Sequence, residues 1–244
     1  MKNSYFIEIR LDESESIRNG YDFIYSEENL SQLDSFYIWF YNKIGKPKMG
    51  KILDIACGHA EFLNICTENS KEVNCYGCDI SQKALENAKN NHTKVTFITS
   101  TAEALPYKNN YFDIVTNIGS LEHFGSLDIA INEMKRVTKD NGKIYILVPN
   151  TFSLLTNIWN VVRFGQIAID IQPLQRYGTY RDWENLITRN GLSISKSYKY
   201  ERPFPKTGSD FLYFLQRPKE IIRLLLGLLI PKNLSWCFLF ECQK

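Results

Sequence analysis

"KILDIACGHAEF", residues 51–62, decides how the rest of the chain is read. Lys51 to Ile55 have the character of a buried strand, Ala56 to Ala60 make a turn of small residues, and Glu61 opens a helix. Such a turn leaves backbone N–H groups facing outward at a helix start, which suits a nucleotide-like ligand. Small residues at Ala56, Gly58 and Ala60 let that backbone approach the ligand closely.

Working outward, strand and helix alternate as far as Asn150. "VNCYGCDI" (73–80) reads as the next strand, and Ser81 caps a helix to about Asn90. "VTFIT" (95–99) and "YFDIVTNI" (111–118) follow as strands three and four. A helix over about Leu127 to Lys139 is expected to stop at "DNG" (140–142), before the fifth strand "KIYILVP" (143–149). This alternation predicts a doubly wound α/β domain, its sheet mostly parallel with helices on both faces. Beyond it, "TYRDWENLITRNG" (179–191) is a helix with Thr179 and Asp182 placed for a capping box and Gly191 past its end. "LSISKSY" (192–198) and "SWCFLFE" (235–241) read as strands. Residues 151–178 and 203–234 break the pattern and are expected as helical insertions.

With 244 residues, 44% hydrophobic and 23% charged, one domain with a sizeable core is expected. A net charge of +2 argues against nucleic acid as the main partner. The first residues lack an apolar signal segment, and the longest apolar run, Leu224 to Ile230, is too short to span a bilayer. A cytoplasmic protein with reduced thiols is the expectation for its six cysteines. Cys75 and Cys78 point to opposite faces of one strand, and no second CxxC completes a metal site.

A dinucleotide fingerprint needs a third glycine where Glu61 stands, which argues against NAD. Asp79, about twenty residues past the turn, is placed to accept hydrogen bonds from ribose hydroxyls. With the motifs "ILDIACGHAEF", "GCDIS", "TAEALPYKNNYFDIV", "LEHF" and "EMKRVTKDNGKIYILVPN" in this order over residues 48–150, the chain resembles the class I S-adenosylmethionine (SAM)-dependent methyltransferases, among them the ubiquinone-type small-molecule group. The resemblance implies a Rossmann-like seven-stranded sheet with insertions after strand five and between strands six and seven. It also implies a single domain: an N-terminal helical segment (1–47), the SAM-binding core (48–150), a lid insertion (151–178), and a C-terminal part (179–244).

Carried over by position, the resemblance puts Asp54, Ala56, Cys57, Gly58 and Ala60 around the methionine part of SAM, and Asp79 on the ribose with Ile80 against adenine. Ala102 and Glu103 border the adenine edge, and Asn117 and Ile118 floor the pocket. Thr101 replaces an aspartate frequent in the family. His123 is the candidate general base. Glu122 and His123 lack a third acidic ligand, Gly119 standing in its place, so no metal is expected. Arg163, Arg176, Tyr177 and Tyr180 are candidates to meet a polar acceptor. The expected reaction is methyl transfer to oxygen, less readily nitrogen, of a small polar metabolite such as a sugar or surface-glycan precursor. A quinone or lipid precursor at the membrane, and an inactive SAM-binding module, are the alternatives. The apolar-basic stretch 211–234 is expected to pack on the sheet or a second subunit in preference to a membrane, in a monomer or homodimer.

Overall fold

The computed structural model describes residues 4–10, 17–27, 32–169 and 171–244. Before the core come β1 (Ile7–Arg10), α1 (Ile17–Glu27) and α2 (Asp34–Lys43). The core runs β2 (Met49–Ile55), α3 (Glu61–Asn69), β3 (Glu72–Asp79), α4 (Gln82–Asn91), β4 (Val95–Thr99), β5 (Phe112–Ile118), α5 (Leu127–Val137) and β6 (Thr138–Pro149). Then follow α6 (Trp159–Phe164), β7 (Leu174–Tyr177), α7 (Tyr180–Arg189), β8 (Ser193–Tyr200), α8 (Gly208–Leu215), α9 (Pro218–Leu229) and β9 (Cys237–Gln243).

Seven strands form one sheet in the order β4-β3-β2-β5-β6-β9-β8. The contacts from β4 to β6 are parallel, while β9 runs antiparallel to both β6 and β8. Successive side chains of a strand face opposite ways, so each buried strand feeds two cores. Leu53, Ile55, Val115 and Ile146 pack with Trp183 and Leu186 of α7 and Met134 of α5. Ile52, Tyr145 and Leu147 pack on the other face with Phe40 of α2, Phe62 and Leu63 of α3 and Leu85 of α4. Trp183, fully buried, donates its indole N–H to the Pro149 carbonyl at 2.8 Å, which satisfies the one polar atom that burial would otherwise strand. The winding reverses between β2 and β5, and a ligand crevice forms there at the carboxyl ends of the strands.

Three local expectations are corrected. First, α5 ends at Val137, and "DNG" lies inside β6. Thr138 already pairs with Phe112, and the ladder shifts register before Ile114 meets Lys143, so the extra residues are absorbed as a bulge. A Cβ on Gly142 would meet the Asp113 and Lys139 carbonyls at 3.0 Å, so this glycine serves close backbone approach. Second, the segment 1–47, read as helical, contains the strand β1. Third, the insertion 151–178 contains β7, which pairs antiparallel with β1 from Ile7↔Tyr177 to Arg10↔Leu174. Neither four-residue strand carries a period of its own; each exists because the other satisfies its backbone. Thr179 and Asp182 do form the capping box of α7.

Candidate functional site

A cavity of about 560 Å³ lies over the carboxyl ends of β2, β3 and β5. Its floor is the turn after β2, where Ala56, Gly58 and Ala60 have φ of 57°, 51° and 64°. Every second residue is left-handed, a conformation that costs a non-glycine residue about 1–2 kcal/mol. Alanine is tolerated twice because the turn is tied down. The Cys57 N–H donates to the Cys78 carbonyl at 3.0 Å, and the Ala60 N–H to the Cys57 carbonyl at 2.8 Å. At Gly58 a Cβ would stand 2.7 Å from the Tyr25 hydroxyl, so a side chain there would have to displace the end of Tyr25.

Two buried carboxylates face this turn. Asp79 Oδ2 accepts the Gly58 N–H and Oδ1 the Ser81 N–H, both at 2.9 Å. Asp54 Oδ1 accepts the Thr116 hydroxyl at 2.7 Å. Burial pushes Asp54 up to about 7, against the Thr116 hydrogen bond and with help from the charge of Asp79. Burial likewise raises Asp79 to about 6, against the stabilising N–H groups of Ser81, Gly58 and Ile80. Among the described residues neither carboxylate has an ion-pair partner. Ser81, not Asp79, caps α4, its hydroxyl accepting the Ala84 N–H and donating to Asp22 of α1. Asp79 therefore keeps its place in the cavity wall.

Ile80, Ser100, Thr101, Ala102 and Glu103 continue that wall. The Ser100 hydroxyl is buried beside the Cys78 thiol. Glu103 Oε1 accepts the Ser126 N–H at 3.1 Å, at the start of α5. His123, buried in the short turn Leu121–His123, lies 2.5 Å through Nδ1 from the Leu174 carbonyl of β7. A carbonyl only accepts, so Nδ1 is the nitrogen that carries the proton in the neutral ring. Nε2 lies 3.7 Å from Glu122 Oε1.

The cavity thus gathers Asp54, Ala56, Cys57, Gly58, Asp79, Ile80, Ala102, Glu103, Ile118 and His123. Ala60 and Asn117 stand behind the wall. Ala60 is the buried N-cap residue of α3, and the Asn117 amide donates to the Ile55 carbonyl at 3.0 Å. Glu61 is also outside the cavity lining, its carboxylate 3.9 Å from His92.

Beyond the turn the wall is aromatic: Tyr21 and Tyr25 of α1, Phe36 and Tyr37 of α2, then Tyr200 and Trp236. Only the density of rings in "YDFIY" and "SFYIWFY" hints at this in the sequence. The Tyr21 hydroxyl donates to Gln172 Oε1 at 2.9 Å, and Gly20 lets α1 close on Pro173, where a Cβ would stand 2.6 Å from the ring. Of the residues expected to meet a polar acceptor, Tyr177 lines the cavity. Arg176 is instead engaged with Glu8 at 2.6 Å and the Phe124 carbonyl at 2.5 Å. The Tyr180 ring packs against Phe238 and Phe240, and Arg163 is exposed on α6.

Residues 53–146 match a protein family described as a methyltransferase domain. An uncharacterized protein of Methanocaldococcus jannaschii is 36% identical over 99 residues, covering 41% of this chain and 40% of that one. A ubiquinone biosynthesis O-methyltransferase of Bartonella bacilliformis is 27% identical over 180 residues, 72% of this chain and 58% of that one. The chain thus spans well under two thirds of the length of the curated relatives it matches. In fold it is similar to an S-adenosylmethionine-dependent methyltransferase of Mesorhizobium loti, with a TM-score of 0.61 at 15% identity over 87% of this chain and 100% of that one.

Proposed function

We propose that this chain is a class I SAM-dependent methyltransferase, and that it transfers the SAM methyl group to the oxygen of a small acceptor with an apolar, ring-bearing body. The observation that carries the reading is one cavity whose lining joins two buried carboxylates over a left-handed turn with a set of aromatic rings.

The carboxylates and the turn fit SAM chemically. Its sulfonium and ammonium are cations that answer the unpaired charges of Asp54 and Asp79, and the ribose hydroxyls are donors for Asp79. Ile80 and Ala102 would hold the adenine, with Glu103 bordering it. SAM, when bound, supplies a methyl group on an already activated carbon. What the chain adds is position, since holding reactants in line provides much of the acceleration. His123 Nε2 takes the acceptor hydroxyl proton, its tautomer held by the Leu174 carbonyl. A positioned base contributes roughly 10²–10⁴-fold. The aromatic walls exclude water from the transfer.

The engagement of Arg176 and Tyr180 elsewhere favours the apolar acceptor over a sugar. Calorimetric titration with SAM, S-adenosylhomocysteine and NAD, followed by methyl transfer to hydroxylated aromatic, isoprenoid and sugar acceptors, tests both halves. Binding of the two SAM-type ligands with transfer to ring-bearing acceptors supports the reading. Binding of NAD alone, or transfer to sugars alone, contradicts it.

A further inference from the structure

The hairpin of α8 and α9 is built inside out. On α9 the charged Glu220 and Arg223 turn toward the protein. Glu220 lies 3.1 Å from Arg202, and the guanidinium of Arg223 is 5.3 Å from the centre of the Trp236 ring. Leu224 and Gly227 complete this inner face. The outer face is Ile221, Ile222, Leu225, Leu226, Leu228 and Leu229, the last 81% exposed. On α8 the same inversion recurs: Asp210 is buried and accepts the Ser35 N–H at 2.6 Å, while Phe211, Leu212 and Leu215 are exposed.

This arrangement is firmly anchored. The ammonium of Lys199 donates to the carbonyls of Gly227, Leu228 and Ile230, satisfying the end of α9 and favouring its dipole. The expected packing of this stretch on the body is therefore met on one face, and the other is left as a contiguous aliphatic surface. Patches of this kind mark an interaction site.

Charge decides the occupant. The exposed charges along residues 204–230 are the cations Lys206, Arg217 and Lys219, while both carboxylates, Asp210 and Glu220, are drawn inward. A two-fold contact with a second copy would set this cationic rim against itself, with Asp34, exposed and bonded to Ser209, the carboxylate held against α8. An anionic lipid surface offers what the patch lacks: an apolar layer for the leucines and negative headgroups for the rim. Among the described residues no helix is long and apolar enough to cross a membrane, so the contact is an interfacial one.

We propose that the α8–α9 hairpin docks this protein on the surface of an anionic lipid bilayer. Its inner face backs onto Trp236, one of the aromatic rings of the cavity lining. The docked orientation therefore sets that part of the lining beside the lipid phase.

The test is co-sedimentation of the full chain with vesicles of phosphatidylcholine alone and of phosphatidylcholine mixed with phosphatidylglycerol, at low and high salt. Binding is expected to the mixed vesicles, weakened by salt. Arg217→Gln with Lys219→Gln should weaken it roughly 30-fold, and Leu225→Glu with Leu229→Glu should abolish it. These positions are exposed, and unchanged melting and SAM titration would show that the variants remain folded. Absence of binding to the mixed vesicles overturns the proposal. So does equal binding to neutral vesicles by every variant, or a dimer in light scattering that Leu225→Glu with Leu229→Glu splits without any vesicle binding. Vesicle binding is read independently of methyl transfer, so either can fail alone.

Discussion

The two sets of residues that line the cavity are built by opposite means. In the cofactor set, each feature is local: a strand, a five-residue turn, and an aspartate closing the next strand. Ala56, Gly58, Ala60 and Asp79 are fixed by backbone conformation and by hydrogen bonds to neighbouring N–H groups. In the aromatic set nothing is local. Tyr21 arrives on α1, Phe36 on α2, Tyr177 on β7 and Trp236 just before β9. A site made from contiguous residues tolerates little substitution, whereas one assembled from distant segments can change its ligand without disturbing the fold.

That contrast yields a graded series of tests. The largest effect is expected from His123→Ala: a loss of turnover of roughly 10²–10⁴-fold with SAM affinity unchanged, read by single-turnover kinetics beside calorimetry. Equal turnover across the pH range would remove His123 as the base. Next, Asp79→Ala should weaken SAM by on the order of 100-fold, since it removes charge-assisted hydrogen bonds worth about 1.5–3 kcal/mol each. Trp236→Ala should leave SAM affinity within about threefold while raising the acceptor KM, a loss of uniform binding. If both substitutions moved SAM alike, the two-part description would fail.

The third test is pH. Asp54 and Asp79 are raised in the folded chain to about 7 and about 6, above the ordinary carboxyl value of 3.8. Their contribution to stability is thus fully present below about 3.8 and is lost as pH rises through about 6 to 7. The ligand-free protein should melt lower at pH 8 than at pH 5 on their account. Asp54→Asn should raise the melting temperature by several degrees at pH 8 and by less than half as much at pH 5. A cationic ligand works the other way, gaining affinity as the carboxylates ionise. The smallest effects belong to the turn itself. Ala56→Gly and Ala60→Gly relieve left-handed strain but loosen the unfolded chain, and should stay within about 1 kcal/mol of the parent by denaturant unfolding.

Legibility followed the same divide. The parallel core could be read because each strand and cap is signalled by neighbours in sequence: Ser81 before α4, Thr179 and Asp182 at α7, Gly191 after it. The strands β1 and β7 were hidden because their pairing joins residues far apart, and with them the Leu174 carbonyl that orients His123. Arg176 looked like a substrate contact until Glu8 was brought to it. The hairpin was legible in part: it packs on the body through Leu224 and Gly227, but the charges beside them, Glu220 and Arg223, and the aliphatic face left exposed did not show in its period.

Calorimetric titration of SAM at pH 8 and at pH 5 tests the central claim most directly, that two buried carboxylates over a left-handed turn hold a cationic nucleoside. One bound equivalent is expected at pH 8, with affinity falling as pH drops through about 6 to 7, where Asp54 and Asp79 take up protons. No binding at pH 8, or an affinity indifferent to pH across that range, would contradict it.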